Sequence, residues 1–472
     1  MSARGAGGGG LSLGLANAIA LLAAVAAAAL YAGRLAPPEF AAWTGALALG
    51  RAALLLLDGG LKTALVRRAD WPAPATLRRL RRLCFGLAIG LLAAGAAAAL
   101  VAWSAARVPA GAVLLYLLYA AAYLLPYPPL FAALARLERA RSFGAVGRAE
   151  GLSVALEFAL PALLMAAGAA WWLAFALAVS LARAVRSAWI IAAARALGPD
   201  SAGTGEPAAL LREGAGVQAI AALSMVRDQM HLWLVVPWFG AAWGGQYGFA
   251  FTACALATQA LVQTASRVAL PALREADADT RWRLVVERSA LLALAVLPPL
   301  ALLPAWLARA DGLFWDGRWA PAVALLPWIA LRMVCSVGTT IVGAWLLVAQ
   351  PPWAAARAHA AWTAAEVAVA VSGLAVFGPT GLAIGCAVSV WVGLGLFVAA
   401  AAPGHPIGSR LRELVRALVV HPSIGLALLL AAWVHAVPSA LAAASVLLPL
   451  VWLTEPALRR ALRPRPLRHD PA

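Results

Sequence analysis

The feature that most constrains this chain is a run of long apolar stretches that recurs from one end of it to the other. A bilayer core about 30 Å thick takes roughly 20 apolar residues in a helix. Stretches of that size fall at about 11–33, 40–60, 84–105, 110–133, 150–168, 171–195, 214–239, 246–270, 288–308, 320–348, 355–377, 380–402, 420–436 and 438–455. Of the 472 residues, 64% are hydrophobic and 12% charged, against about 45–50% and 25% in soluble domains. No water-soluble fold covers that much apolar surface with so few charges, so a soluble enzyme, a disordered scaffold and a collagen-like fibre are excluded. The expected fold class is all-α, a polytopic membrane protein of about fourteen transmembrane helices. The first stretch is too long for a signal-peptide core and has no basic flank beyond Arg4, so it is retained as a helix.

A net charge of +17 raises nucleic-acid binding as a possibility, and the positions of the charges remove it. With the N-terminus in the cytoplasm and sides alternating, the inner connections receive Lys62, Arg67, Arg68, Arg78, Arg79, Arg81 and Arg82, then Arg136, Arg139, Arg141 and Arg148. Inner connections also hold Arg267, Arg274, Arg281, Arg283 and Arg288, then Arg410, Arg412 and Arg416, and the tail Arg459, Arg460, Arg463, Arg465 and Arg468. The outer connections hold only Arg34, Arg107, Arg309 and Arg318. That is the positive-inside asymmetry of a cytoplasmic (inner) membrane protein with both termini inside. Lys62 is the single lysine, preceded by Leu61, so no G-x-x-x-x-G-K phosphate loop exists. Cys84, Cys254, Cys335 and Cys386 stand singly in apolar segments and suggest neither disulfides nor a metal site. No cofactor is called for.

Six helices return the chain to its starting side, where the polar stretch GPDSAGTGEP (198–207) follows. A second block of six with the same orientation then begins, the parallel-repeat arrangement of many transporters. The expected organisation is a cytoplasmic N-terminus (1–10), an N-lobe (11–197), a linker (198–213), a C-lobe (214–402), a C-terminal helix pair (403–456) and a basic tail (457–472).

Several segments in this order resemble the polysaccharide flippase family of the MOP superfamily, which also contains the MATE transporters and the lipid II flippase. They are RLAPPEFAAWTGALALGRAALLLLDGGLKTALVRR (34–68), RSFGAVGRAEGLSVALEF (141–158), VRDQMHLWLVVPWFGAAWGGQYGFAF (226–251), VALPALREADADTRW (268–282) and FWDGRWAPAVALLPWIAL (314–331). The resemblance covers roughly residues 11–400 and rests on order and spacing, since each segment is a short apolar pattern with a few polar marks. It implies two six-helix lobes around a central cavity, alternating access, and a polyprenyl-diphosphate-linked oligosaccharide as substrate. The two extra helices at 420–455 are also like those of polysaccharide flippases, whereas MATE drug pumps usually stop at twelve.

The residues themselves point to chemistry where ionisable groups fall inside spans. Arg51, Arg183, Arg186, Arg227 and Arg332 all do. Each costs roughly 2.5–3.5 kcal/mol at the bilayer centre, so five facing lipid would cost on the order of 15 kcal/mol. They are expected to face a watery cavity or one another. One reading is an anion site, since guanidinium forks bind phosphate oxygens bidentately. The other is ion pairing with Glu157, Asp228 and Glu366, and the same three acids are candidates for proton or sodium coupling. His231, one turn from Arg227, is a titratable neighbour or a hydrogen-bonded packing residue.

Tyr116, Tyr119, Tyr123 and Tyr127 are spaced three, four and four, one face of a helix. They offer either flat surfaces for sugar rings or helix packing with satisfied hydroxyls. Thr252, Gln259, Gln263 and Ser266 form a second polar stripe, for cavity lining or interhelical hydrogen bonds. Asp277-Ala-Asp279 matches a glycosyltransferase D-x-D but sits in a charged turn without an α/β domain, and reads as a solvated charge run. A membrane-embedded glycan polymerase or ligase would need a longer outer loop than 309–319.

The expectation is therefore a secondary transporter, not an enzyme: a flippase for a lipid-linked oligosaccharide of a polysaccharide, O-antigen or exopolysaccharide repeat. It would act as a monomer in the bilayer, alone or with polysaccharide-assembly proteins. A cation-coupled MATE-like drug antiporter is the alternative, and an arginine-lined cavity disfavours cationic drugs.

Overall fold

The computed structural model describes residues 27–67, 71–104, 110–140, 142–197, 202–203, 207–401, 408–415 and 418. The start of the first expected helix, much of the expected linker, the helices expected at 420–436 and 438–455, and the tail lie outside the described residues. The helices are α1 (27–34), α2 (Pro37–Asp58), α3 (Leu61–Arg67), α4 (Pro74–Ser104), α5 (Ala110–Leu124), α6 (Tyr127–Arg139), α7 (Phe143–Ala166) and α8 (Trp171–Arg195). They continue with α9 (Pro207–Glu275), α10 (Ala278–Phe314), α11 (Ala320–Ala349) and α12 (Pro352–Ala401). A two-residue parallel pairing joins β1 (Trp71–Pro72) to β2 (Ala202–Gly203). The protein is an all-α, multi-pass membrane protein. Six of the described helices are each long and apolar enough to cross a membrane, and the bent pair α5 and α6 makes a seventh.

Every expected span from 40–60 to 380–402 has its helix, because α9 and α12 are each two helices run together. The break in α9 is Gly240 (φ 84°, ψ 170°) and the break in α12 is Gly378 (φ 62°, ψ −150°). Both conformations are essentially restricted to glycine, since a Cβ there clashes with the local backbone. The chain can therefore reverse within one residue, without a loop.

Two expectations from hydropathy need correction. The span at 110–133 is not one helix but bends by 45° between α5 and α6. Pro126, Pro128 and Pro129 remove three backbone donors and favour a helix start over a helix interior. Helix ends also lie outside the apolar windows: α4 begins at Pro74 and α10 at Ala278, well before 84 and 288. Hydropathy marks where hydrocarbon begins, whereas backbone hydrogen bonding continues into the polar interface until a cap ends it. For α10 the cap is Asp277, whose Oδ1 accepts from the Thr280 backbone N–H at 2.8 Å and whose Oδ2 accepts from its hydroxyl at 3.0 Å. The D-x-D aspartate is a helix cap.

The chain folds as two compact units, the described parts of Met1–Leu256 with Pro352–Leu382, and of Ala257–Pro351 with Ala383–Ala472. In the first, an aromatic cluster joins α1, α2, α7 and α8. Trp43 lies 4.9 Å from Phe175 and 5.3 Å from Tyr31, and the Tyr31 hydroxyl donates to the Phe158 carbonyl. A second apolar cluster (Leu57, Leu65, Leu80, Leu124, Phe131) knits α2 to α6 together. In the second unit, the Trp282 indole donates to Glu413 at 2.8 Å, and Arg410 lies over Trp282 and Trp345. Leu83, Phe85, Ile89 and Leu100 of α4 are exposed, as helices facing lipid require.

Nothing stands within 4 Å of a Cβ added at Gly240, so Gly240→Ala isolates backbone strain from packing. It is expected to cost about 1–3 kcal/mol, read as a lowered unfolding temperature in detergent. Gly95→Ala in α4, also without neighbours within 4 Å, leaves that temperature unchanged or slightly raised.

Candidate functional site

The first unit holds a cavity of about 280 Å³ whose wall contains Arg51, Leu54, Leu55, Asp58 and Lys62 from α2 and α3. The first four fall at offsets of three, four and seven, a single face of α2, and Lys62 follows on α3 beyond the left-handed Gly59 and Gly60. The opposite wall is Tyr123 from α5, Tyr127, Leu130 and Leu134 from α6, and Arg183, Arg186 and Ser187 from α8. Pro126 is part of the lining too, so the proline bend shapes the cavity. Four cationic side chains and one carboxylate, Asp58, line it.

Behind the cations stand three glutamates. Arg183 Nη2 lies 2.5 Å from Glu157 Oε2 and donates to the Tyr123 hydroxyl at 2.6 Å. That hydroxyl donates onward to Glu157 Oε1 at 3.4 Å, and the guanidinium rests over the Tyr123 ring, 4.2 Å from its centre. Arg186 pairs with Glu150 at 3.4 Å, and Lys62 with Glu138 at 3.3 Å. The Tyr127 hydroxyl donates to Asp58. Arg51 approaches Tyr123 from the α2 side. A Cβ at Gly50 would meet the Tyr123 ring at 2.8 Å, so the tyrosine packs directly against the α2 backbone.

The five intramembrane arginines expected from sequence do not all stand together. Arg51, Arg183 and Arg186 share the cavity. Arg227 instead lies in a buried network of the first unit, between the first helices of α9 and α12. Its Nη1 donates to Thr363 Oγ1 at 2.6 Å and to the His359 carbonyl at 3.3 Å. Its Nη2 donates to Ser224 Oγ at 3.0 Å and meets His359 Nδ1 at 3.2 Å. Glu366 lies 3.8 Å from Nε, and the Trp362 ring lies 3.9 Å beneath the guanidinium. Arg332 is buried in α11 of the second unit.

Of the other expected residues, Tyr123 and Tyr127 line the cavity, whereas Tyr116 packs on Gly45 and Tyr119 accepts from the Trp43 indole at 3.0 Å. Glu157 and Glu366 are buried beside arginines, and Asp228 is exposed. His231 is stacked on Tyr247 and Phe251, and Thr252 is half-buried. The side chains of Gln259 and Gln263 lie outside the described residues.

Sequence reasoning missed Asp58 and Lys62 in the cavity, Glu150 behind Arg186, and His359 and Thr363 beside Arg227. A signal existed. Glu150 and Glu157 are seven residues apart, two helical turns, and Arg183 and Arg186 face them in reverse order on the next helix. His359, Thr363 and Glu366 likewise share one face by their spacing of four and three.

No protein-family model matches the chain, and no curated protein matches it. Solved structures do resemble it. The lipid II flippase MurJ in an inward closed conformation has a TM-score of 0.62 at 11% identity, over 88% of this chain and 92% of that one. A multidrug resistance MATE family transporter of the MOP superfamily, inward-facing, has a TM-score of 0.60 at 15% identity, over 85% of this chain and 96% of that one. The chain thus has the polytopic fold of MOP-superfamily transporters.

Removing one partner of a buried ion pair leaves the other charge stranded, at about 3–5 kcal/mol. Arg227→Ala is therefore expected to lower the unfolding temperature in detergent sharply. Arg227→Met combined with Glu366→Gln recovers much of the loss, because no lone charge remains.

Proposed function

We propose that the chain is a flippase that moves a polyprenyl-diphosphate-linked oligosaccharide across the bacterial inner membrane, with both termini in the cytoplasm. The observation that carries this reading is the cavity itself, on which Arg51, Lys62, Arg183 and Arg186 converge with a single carboxylate, Asp58, in the lining. A polar head group stripped of water without partners costs several kcal/mol per group, whereas a polyprenyl tail is at ease in lipid. The protein's task is to supply partners for the head group alone. A diphosphate brings negative charge and acceptor oxygens, and guanidinium forks meet such oxygens two at a time. Tyr123 and Tyr127 add flat rings and hydroxyls at the cavity wall, suited to the first sugar.

The cavity's size refines the reading. At about 280 Å³ it falls just below the range of about 300–1,000 Å³ that takes up whole drug-sized ligands. It suits the diphosphate and its immediate surroundings more than a complete oligosaccharide. The fold similarity to the lipid II flippase supports transport of a lipid-linked head group, and the arginine lining argues against cationic drugs. Carriage proceeds by alternating access, without chemistry on the substrate.

The test is reconstitution in liposomes with a fluorescent short-chain polyprenyl-diphosphate sugar, following loss of label from the outer leaflet. Wild type is expected to move the probe. Arg51→Ala and Arg186→Lys slow it by about 10- to 100-fold, as the loss of one guanidinium fork predicts, while still inserting and unfolding near the wild-type temperature. No transport by wild type, or full rates in both variants, overturns the reading.

A further inference from the structure

We propose that the start of α4 is a binding site for an acidic phospholipid of the surrounding membrane. The proposal is independent of the cavity and of what the protein carries. Hydropathy puts Arg78, Arg79, Arg81 and Arg82 in a connection between spans, but the structure places all four inside α4, within its first three turns. A helix of 31 residues is about 46 Å long at 1.5 Å per residue. The hydrocarbon core takes up about 30 Å of that, and about 40–45 Å with the headgroup layers. From Leu83 to its end α4 carries no charge, so the arginines stand at headgroup depth, on a rigid helix and not on a loop.

The packed face of this helix is Leu77, Leu80, Cys84 and Ala88, all buried. Arg78 and Arg82, one turn apart, lie on the other side with Arg79 and Arg81 flanking them, and all four are exposed. Further along the helix Leu83, Phe85 and Ile89 are exposed too. A strip of guanidinium groups therefore runs straight into an apolar strip that faces lipid. A phospholipid has the same outline, with phosphate at one end and acyl chains that continue along the helix.

Other cations of the first unit are already engaged. Lys62 pairs with Glu138, Arg186 pairs with Glu150, and Arg139 donates to the Leu65 carbonyl and lies over the Trp71 ring. Among the described residues, none of the four arginines of α4 has an ion-pair or hydrogen-bond partner, and the first turn of α4 holds no acid. Like charges three and four residues apart on a helix repel. A phosphodiester among them removes that repulsion and meets guanidinium forks two oxygens at a time. A zwitterionic headgroup brings an ammonium to the same place and gains less. Selectivity is therefore for net negative charge, and a lipid with two phosphates engages more of the strip than a lipid with one.

The experiment titrates the full chain, in a neutral detergent, with tetraoleoyl-diphosphatidylglycerol or with dioleoylphosphatidylcholine, and counts bound lipid by native mass spectrometry. Wild type is expected to hold the first lipid more than about tenfold tighter than the second. Arg78→Gln combined with Arg82→Gln weakens it by about 30-fold, at about fivefold per arginine near a lipid surface. Arg283→Gln combined with Arg357→Gln removes the same charge from exposed positions on other helices and leaves the affinity unchanged. Photoreactive acyl chains on the same two lipids locate the site in wild type, a readout that stands even if the variants fail to fold. The acidic lipid is expected to label residues 83–89 in excess over phosphatidylcholine. Equal affinity for the two lipids, equal loss in both double variants, or the same labelling pattern from both lipids overturns the proposal. The arginines then serve only to orient the chain, or to hold a soluble acidic partner, and the reading of the cavity stands untouched.

Discussion

The antiparallel pairing of α7 with α8 is the interaction on which the rest of the first unit turns. An isolated arginine at mid-bilayer costs roughly 2.5–3.5 kcal/mol even with snorkelling, and α8 carries two, one helical turn apart. Glu157 and Glu150 on α7 meet Arg183 and Arg186 in reverse order, so both charges are compensated at a single register. Sliding α7 by one turn would leave a charge unmatched at each end. A buried pair adds little net stability, but breaking one is expensive. Its effect is therefore to select one alignment among several that apolar packing alone would tolerate. Tyr123 is held in place by the same contact, and with it the wall of the cavity.

The intramembrane arginines have two kinds of surroundings. Arg227 is surrounded by a hydroxyl pair, a carbonyl, an imidazole, a carboxylate and an indole face, and is 5% exposed. A guanidinium with its donors so fully used has little to offer a ligand, and it ties the first helix of α12 to that of α9. Arg183 is 19% exposed and shares its Nη2 between a carboxylate and a phenol, at the edge of an open volume. The same side chain thus acts as a cross-brace in one place and as a potential binding group in another. Partner count and access to the cavity make the difference, not depth in the membrane.

Much of the fold was legible in the sequence because the bilayer imposes one requirement, about 20 apolar residues per crossing, that hydropathy reads directly. The helices from 40–60 to 380–402 follow from it. It could not show the bend at Pro126, since Leu124, Leu125 and Leu130 are equally apolar on either side of it. Nor could it show that helix ends lie beyond the apolar windows, where capping by groups such as Asp277 decides. For the site, the improbability of charge in a span singled out Arg51, Arg183, Arg186 and Glu157. Asp58, Lys62 and Glu150 sit near span ends, where charge is ordinary, so the same logic passed over them. Whether an arginine meets a cavity or a private partner depends on which helices are neighbours, and Arg227 shows that position along a span does not carry that information.

The 31-residue α4 has one further implication. Only 11% of its most apolar window is buried within the chain, against 61% for α12. Acyl chains solvate leucine, phenylalanine and alanine alike, so most of this surface is specified by polarity and not by shape. Its composition is free to drift over generations among apolar types, whereas the face carrying Leu77, Leu80, Cys84 and Ala88 is not. In lineages descended from a common ancestor, α4 should therefore be the stretch whose letters diverge fastest while its hydropathy stays constant.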